Sequence, residues 1–211
     1  MEFFRVKRLV GFLLIVLIGS FLLLAFIVAR LPEPPLAAAF SAHGIDPAKM
    51  DRSRVSLRVD KSARTFEVLY GDTVVRSWFC ATGPGIPAGA PAPGAIRPLP
   101  RFLMMLRLYP GNKQFEGDFR TPEGRYRLAT DFQPSRYYRF ALVSYPDVGD
   151  QKRSANPGGS VGVHGLLPEM APLGRLHALA RWTRGCIALT NDQIDELDKY
   201  VTAGTPIQID P

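Results

Sequence analysis

The sequence predicts a mainly β domain with minor α content, preceded by one transmembrane helix. Three observations carry this: a long uncharged run near the N-terminus, a series of short alternating segments separated by turn residues, and one capped amphipathic helix near the C-terminus. With 46% hydrophobic and 21% charged residues in 211, the composition excludes a disordered chain. Two cysteines exclude a disulfide-dense scaffold.

The uncharged run extends from Leu9 to Ala29. As a helix it would span about 32 Å, close to the thickness of a bilayer's hydrocarbon core. A cleaved signal peptide is the competing reading, with Ala37, Ala38 and Ala39 as a cleavage-like triplet. The apolar part of a signal peptide is shorter, and Pro32, Glu33, Pro34 and Pro35 separate the triplet from the run, so the sequence favours an uncleaved anchor. Arg5, Lys7 and Arg8 precede the span and only Arg30 directly follows it. The positive-inside rule then leaves the N-terminus in the cytoplasm. The expectation is a single-pass protein of the inner (cytoplasmic) membrane with the chain after Arg30 on the periplasmic, extracytoplasmic side. Much of the formal net charge of +7 lies in this anchor. The remainder is dispersed, without a Lys/Arg run or basic–aromatic alternation, which argues against nucleic acid as a partner.

Residues 31–52 are rich in Pro and Ala and read as a linker lifting residues 53–211 off the membrane. Val55, Leu57 and Val59 alternate along a first strand, and turns at Lys61–Arg64 and Gly71–Asp72 lead to strands Thr65–Tyr70 and Thr73–Ala81, a β-meander. Residues 83–99 are dominated by Gly and Pro and form a loop. The stretch 101–109, RFLMMLRLY, is apolar with two arginines. It reads as a cover for the core or, alternatively, as a lip touching membrane or substrate. A turn-rich segment, 117–128, leads into a strand, and Phe140–Tyr145 is another. After an irregular loop over 146–159, Val161–His164 ends a buried strand. Residues 168–182 form a loop with a short helix, and Ile187–Leu189 is a strand end. Thr190 and Gln193 form a capping box opening a helix to about Thr202, and Pro206–Asp210 is the last strand.

Cys186 follows Gly185, just before the helix start, and His164 ends a strand and is followed by Gly165. A glycine beside a cysteine permits a sharp turn that frees amides to face a carbonyl. A thiol needs a base to become a strong nucleophile, so Cys186 and His164 can form a catalytic unit. Spacing alone is a weak signal, because a lone cysteine is more often a small buried hydrophobe than a nucleophile. Cys80 reads as a buried strand residue, not as a bridge partner. His177 reads as a surface residue and His43 as part of the linker. Two distant cysteines and scattered histidines lack zinc-ligand spacing, so neither metal nor cofactor is expected.

From Arg54 to Asp210 the chain resembles the YkuD-type L,D-transpeptidase catalytic domains, most of all their YafK-like murein branch. The resemblance rests on His164–Gly165, Thr183-Arg184-Gly185-Cys186-Ile187, the opening meander, the GDFRTPEGRYRL segment, Ser144–Asp147 and the closing GTPIQI. It implies a β-sandwich or barrel-like fold. Cys186 would be the nucleophile, His164 the general base and acid, and Gly165 would orient the ring through its backbone. The amides around Gly185 and Cys186 would hold the oxyanion. Peptidoglycan stem peptides would be the substrate, passing through a thioester on Cys186 to an amine acceptor. Water in place of the amine would make the enzyme a hydrolase, releasing a D-amino acid or a wall-anchored lipoprotein. Thr183 and Arg184 are candidate substrate contacts. Arg184 stands where many members have histidine, and would lower the Cys186 pKa, grip a carboxylate or simply face solvent. Ala188 replaces a frequent arginine, and residues 84–110 are inserted relative to the family.

Other classes fit less well. A sortase needs an arginine after its cysteine, and none follows Cys186 here. Papain-like peptidases place cysteine before histidine. A non-catalytic wall-binding module would need no thiol at this position.

Overall fold

The computed structural model describes residues 2–86 and 105–211. Helix α1, Glu2–Val28, carries an apolar stretch, Gly11–Val28, of mean hydropathy 3.0 that is not buried against the rest of the chain. That stretch is long and apolar enough to cross a membrane.

The meander forms as its alternation dictates. Strand β1 (Val55–Asp60) turns Val55, Leu57 and Val59 inward and pairs antiparallel with β2 (Thr65–Tyr70), which pairs with β3 (Thr73–Phe79). The β1–β2 turn places Arg64 at φ 59°, and the β2–β3 turn places Gly71 at φ 59°, a conformation in which glycine carries no Cβ penalty. The closing strand β9 (Pro206–Asp210) inserts parallel to β1 and antiparallel to β4 (Gly124–Arg127), giving one sheet of order β3-β2-β1-β9-β4. The second sheet is β5-β6-β7-β8, from Gln133–Ser135, Tyr138–Leu142, Gly162–His164 and Ile187–Ala188.

Two single bridges stitch the sheets together. Ala81, just past β3, pairs with Ala188, and Leu128, just past β4, pairs with Val143 beyond β6. The β3 and β8 edges are thereby joined, and the chain past the β4 edge meets the extension of β6, which limits unpaired edge backbone as in a barrel. Phe66, Val68, Leu128, Val163, Ile187 and Ile207 from both sheets share one core. The fold is therefore the mainly β, minor α architecture expected, with an apolar N-terminal helix in front.

Helices fill the gaps. The Thr190–Gln193 capping box forms in both directions and opens α4, Asn191–Asp198, which buries Ile194 and Leu197 and stops four residues short of the expected end. The loop expected over 146–159 contains helix α3, Val148–Arg153, opened by a reciprocal cap between Asp147 and Asp150. An acid at the third helical position replaces the usual Glu or Gln, which hid the motif.

The segment 31–52 departs from a free linker. Helix α2, Leu36–Ala42, drives Leu36 and Phe40 into the main core, both fully buried. The Phe40 ring lies 4.9 Å from that of Tyr200 and meets Tyr70 edge-on at 6.3 Å. The Leu36 amide donates to Glu196 Oε2 at 2.8 Å, and Arg76 donates to the Pro34 carbonyl at 3.1 Å. Composition alone could not show this, because two apolar residues in an Ala-rich stretch suffice to dock it. Of the expected insertion at 84–110, residues 87–104 lie outside the described residues. From Met105 the chain is irregular, and its Met105 carbonyl accepts from the Arg181 amide at 2.7 Å.

Removing the Phe40 ring empties a filled core site. Phe40→Ala should lower the unfolding free energy of the full chain by about 3–5 kcal/mol in urea titrations followed by circular dichroism. A change within about 0.5 kcal/mol, the usual effect at an exposed linker position, would show α2 to be undocked.

Candidate active site

The site is built on the pairing of β7 with β8. These strands run parallel, with Val163 opposite Ile187 and His164 opposite Ala188. Side chains two apart on a strand share a face. Cys186, one residue before β8 and two before Ala188, therefore projects on the same face as His164. Strand β6 flanks β7 on the other side and sets Phe140 opposite His164. Approach there is so close that a Cβ on Gly162 would lie 2.3 Å from Phe140 Cζ and 2.4 Å from the Ala141 carbonyl oxygen.

His164 is 2% exposed and held among rings. Phe140 lies parallel to it at 6.1 Å, Tyr137 tilted at 4.4 Å, and Trp182 edge-on at 5.8 Å. Its Nδ1 is 2.7 Å from the carbonyl oxygen of Gly165. A carbonyl only accepts, so the neutral ring carries its proton on Nδ1 and leaves the Nε2 lone pair as a base. Gly165 can present that carbonyl because it has no side chain: a Cβ would lie 2.6 Å from Asn191 Oδ1 and 2.9 Å from the Tyr137 carbonyl. Asn191 Oδ1 in turn accepts from the Leu166 amide at 2.8 Å, tying the first residue of α4 to the end of β7. Burial pushes the His164 imidazole down to about 4; Arg136 adds to the depression, and the bond to Gly165 opposes it.

Cys186 is half-buried, its Sγ 3.6 Å from the Ser160 carbonyl. Burial raises its pKa, opposed by the backbone N–H of Gly162, which donates to the sulfur, and by the positive charge of Lys113. With His164 neutral and the thiol's pKa raised, the resting pair is thiol and imidazole, not thiolate and imidazolium. Among the described residues the two share no direct hydrogen bond. Cys80 is a free, fully buried thiol pushed up to about 12 by desolvation, and no disulfide joins it to Cys186.

The turn before Cys186 is shaped by Thr183. Its hydroxyl donates to the Cys186 carbonyl at 2.7 Å and accepts from the Gly185 amide at 3.3 Å. Gly185 has φ 126°, and a Cβ there would lie 2.8 Å from the Arg120 carbonyl. The Gly185 amide is thus engaged within the turn, whereas that of Cys186 has no protein acceptor among the described residues. Arg184 lies with its guanidinium 5.9 Å from the Phe119 ring centre and does not act on the thiol's pKa. The cation that does is Lys113, buried and paired with the fully buried Asp118 at 2.9 Å. Nothing in the sequence around Lys113 marked it, since a Lys and an Asp five apart in a turn-rich segment are usually solvated.

His177 is also displaced from expectation. It is 2% exposed, inside a pair of 3-10 turns, Ala171–Leu179, broken at Gly174. Its ring stands edge-on to Trp182 at 6.3 Å, and burial lowers it to about 4, with a smaller contribution from His164. Among the described residues no three His, Cys, Asp or Glu side chains group so as to hold a metal ion.

The family model for the YkuD L,D-transpeptidase catalytic domain matches residues 54–209. The chain belongs to this family. Within it, YafK of Escherichia coli K12, whose name assigns it provisionally to the L,D-transpeptidases, is 32% identical over 94 residues. That alignment covers 44% of this chain and 32% of YafK, so the match spans about a third of that relative. Among solved structures, Bd1075 of Bdellovibrio bacteriovorus is 21% identical with a TM-score of 0.48, covering 74% of this chain and 47% of that one. An L,D-transpeptidase of Mycobacterium smegmatis is 18% identical with a TM-score of 0.43, covering 75% and 59%.

Both histidines resist protonation when folded, so each binds its proton more readily in the unfolded chain. The stability they contribute is fully present above about pH 6.5, the ordinary histidine value, and is lost as pH falls through about 4. Urea midpoints should therefore drop between pH 7 and pH 4.5. In His177→Leu, which replaces a ring whose two nitrogens have no hydrogen-bond partner among the described residues, that drop should shrink by roughly half. An unchanged pH slope in the variant would mean that His177 is not the buried neutral group described.

Proposed function

We propose that this protein is a membrane-anchored cysteine L,D-transpeptidase acting on peptidoglycan stem peptides. The observation that carries the reading is the β7–β8 register, which sets a cysteine and a histidine with a free Nε2 lone pair on one face of a sheet.

In the proposed reaction the Cys186 thiol gives its proton to His164 Nε2 as sulfur attacks the stem-peptide carbonyl carbon. The resulting oxyanion takes the Cys186 amide as donor, with Gly185 supplying the turn that aims it. When the tetrahedral species collapses, the carbon–nitrogen bond breaks. His164 returns the proton to the departing amine, leaving a thioester on Cys186. An acceptor amine then attacks the thioester, His164 takes the amine's proton, and the sulfur leaves and is reprotonated. Water entering instead of the amine would give hydrolysis through the same thioester. Gly165 keeps the ring in the tautomer this sequence needs, and Thr183 holds the Cys186 carbonyl. Arg184, over Phe119 at the rim, is a candidate contact for a substrate carboxylate.

Anchoring is supported by the way the chain leaves α1. Cleavage after Ala39 would remove Leu36 and Ala39 from the packed core and leave Phe40 at a new terminus. With the basic residues ahead of the span, the domain would face the extracytoplasmic side.

Incubation with defined tetrapeptide muropeptides, with and without an amine acceptor, followed by mass spectrometry, tests the assignment. The full chain should yield cross-linked dimers with acceptor present, and Cys186→Ala should reduce turnover at least 1,000-fold while moving the thermal midpoint by less than 3 °C. A variant that retains turnover would remove Cys186 from the chemistry. The rate should also hold down to about pH 5 and fall as His164 protonates near 4. An acid limb centred at pH 6.5 would mean that the base is a different, solvated group.

A further inference from the structure

The end of α1 is fastened to the catalytic domain. The Arg175 amide donates to the Ala29 carbonyl at 3.1 Å, and its guanidinium bonds the Val28 carbonyl and pairs with Glu33 at 2.9 Å. Glu33 also accepts from Gln193 at 3.1 Å. Gly174 meets the helix end so closely that a Cβ there would lie 2.7 Å from the Ala29 carbonyl. Exposed apolar residues gather around this junction. Outside α1, eight large hydrophobic residues are exposed among the described residues; Leu31 and Leu173 flank this junction, and Phe79, Leu106 and Leu179 lie on segments bonded to the end of the same pair of 3-10 turns. Leu31 continues from the helix, and Leu173 adjoins Gly174. Arg64 donates to the Leu179 carbonyl and lies beside Phe79, whose partner across the sheet is Thr65. The Arg181 amide holds the Met105 carbonyl, next to Leu106.

We propose that this apolar face is a membrane-surface contact, seating the catalytic domain on the bilayer that α1 enters, so that the stem peptides it takes are those held at the membrane. The proposal rests on the reading of α1 as an anchor. Its occupant follows from continuity: the face begins at the residue where the apolar helix ends, and isolated water-facing leucines would not cluster there. The consequence for substrate follows from distance. Trp182, whose ring edge meets His164, is three residues from Leu179, so at most about 11 Å of chain separates them. A cavity of about 520 Å³ between helix end and domain is lined by Arg30, Glu33, Trp78, Arg175, Leu166 and Asn191. The last two adjoin the His164–Gly165 pair. A site so close to the headgroups meets peptides carried on lipid-linked glycan before peptides in a distant layer.

Nitroxide labels at Leu17→Cys, Leu173→Cys and Leu179→Cys test the contact. The full chain would carry Cys186→Ser and be reconstituted in phosphatidylethanolamine–phosphatidylglycerol vesicles, Cys80 being too buried to label. Collision rates with oxygen and a nickel chelate should place position 17 near the bilayer centre and positions 173 and 179 at headgroup depth. Water-like collision at 173 and 179 with 17 deep would overturn the seating while keeping the anchor; water-like collision at all three would overturn both. Independently, Leu173→Glu/Leu179→Glu should cut turnover of a lipid-attached disaccharide tetrapeptide at least tenfold and alter turnover of the same soluble compound less than twofold. Equal turnover by wild type and variant on both compounds would overturn the substrate claim. If the wild type turns over neither compound, the enzymatic reading fails and the label depths alone decide the seating.

Discussion

The parallel pairing of β7 with β8 is the constraint on which the rest of the site depends. Two strands of three and two residues form it, too short to hold a register by their own hydrogen bonds. The register is fixed from outside: β6 pairs with β7 on one side, Ala81 bridges Ala188 on the other, and Val163 and Ile187 are sealed in the common core. A slip by one residue would turn Cys186 to the opposite face from His164 and send Ile187 out of the core. The hydrophobic pattern that folds the domain is therefore also what pairs the two reactive groups. The glycines serve the same end. Gly83, Gly162, Gly165 and Gly185 each allow a backbone approach that a Cβ would block, and together they let three chain segments converge on the cysteine.

Burial sets the charge state of the pair. An ion pair of thiolate and imidazolium would require both groups to be charged where desolvation disfavours charge, and only two features oppose this at the sulfur, the Gly162 N–H and the Lys113 charge. Lys113 is itself occupied by Asp118, whose carboxylate also accepts from the Gln114 and Arg120 amides. The arrangement favours a neutral resting pair; in the proposed reaction it would move one proton only as the carbonyl is attacked, and displacing water would strengthen each hydrogen bond used. The Cys186 amide would be one such donor.

The sequence showed the parts of this design that follow a local rule. Alternation located β1 to β3, the Thr190–Gln193 cap located the start of α4, and the His164–Gly165 and Gly185–Cys186 pairs stood out because glycine beside a reactive residue has few structural reasons. What stayed hidden depended on contacts distant in the chain. Phe40 could be recognised as core only once Tyr70 and Tyr200 were beside it. His177 reads as surface because nothing nearby in sequence announces Trp182 and the 3-10 turns that cover it. The action of Lys113 on the thiol needs a 73-residue separation to close in space. Helix α3 was missed for a different reason: its cap is local, but Asp at the third helical position seldom makes the reciprocal bond.

On the proposed reading of α1 as an anchor, docking of the 31–52 segment fixes where the domain would sit. A free linker of about 20 residues would give the domain a reach of roughly 25 Å, about the square root of its length times 5–6 Å, in every direction the membrane allows. A fastened segment removes that reach. The Glu33–Arg175 pair and the Leu36–Glu196 bond are individually modest, as partly exposed ion pairs and hydrogen bonds usually are. Leu36 and Phe40 supply the larger share, because their burial is complete and independent of salt. On that reading, height above the membrane would be set by the same hydrophobic core that sets the β7–β8 register. On the same reading, loosening the core at α2 would free the domain from the proposed seat before it disturbed the β7–β8 register, so position would fail before the proposed chemistry.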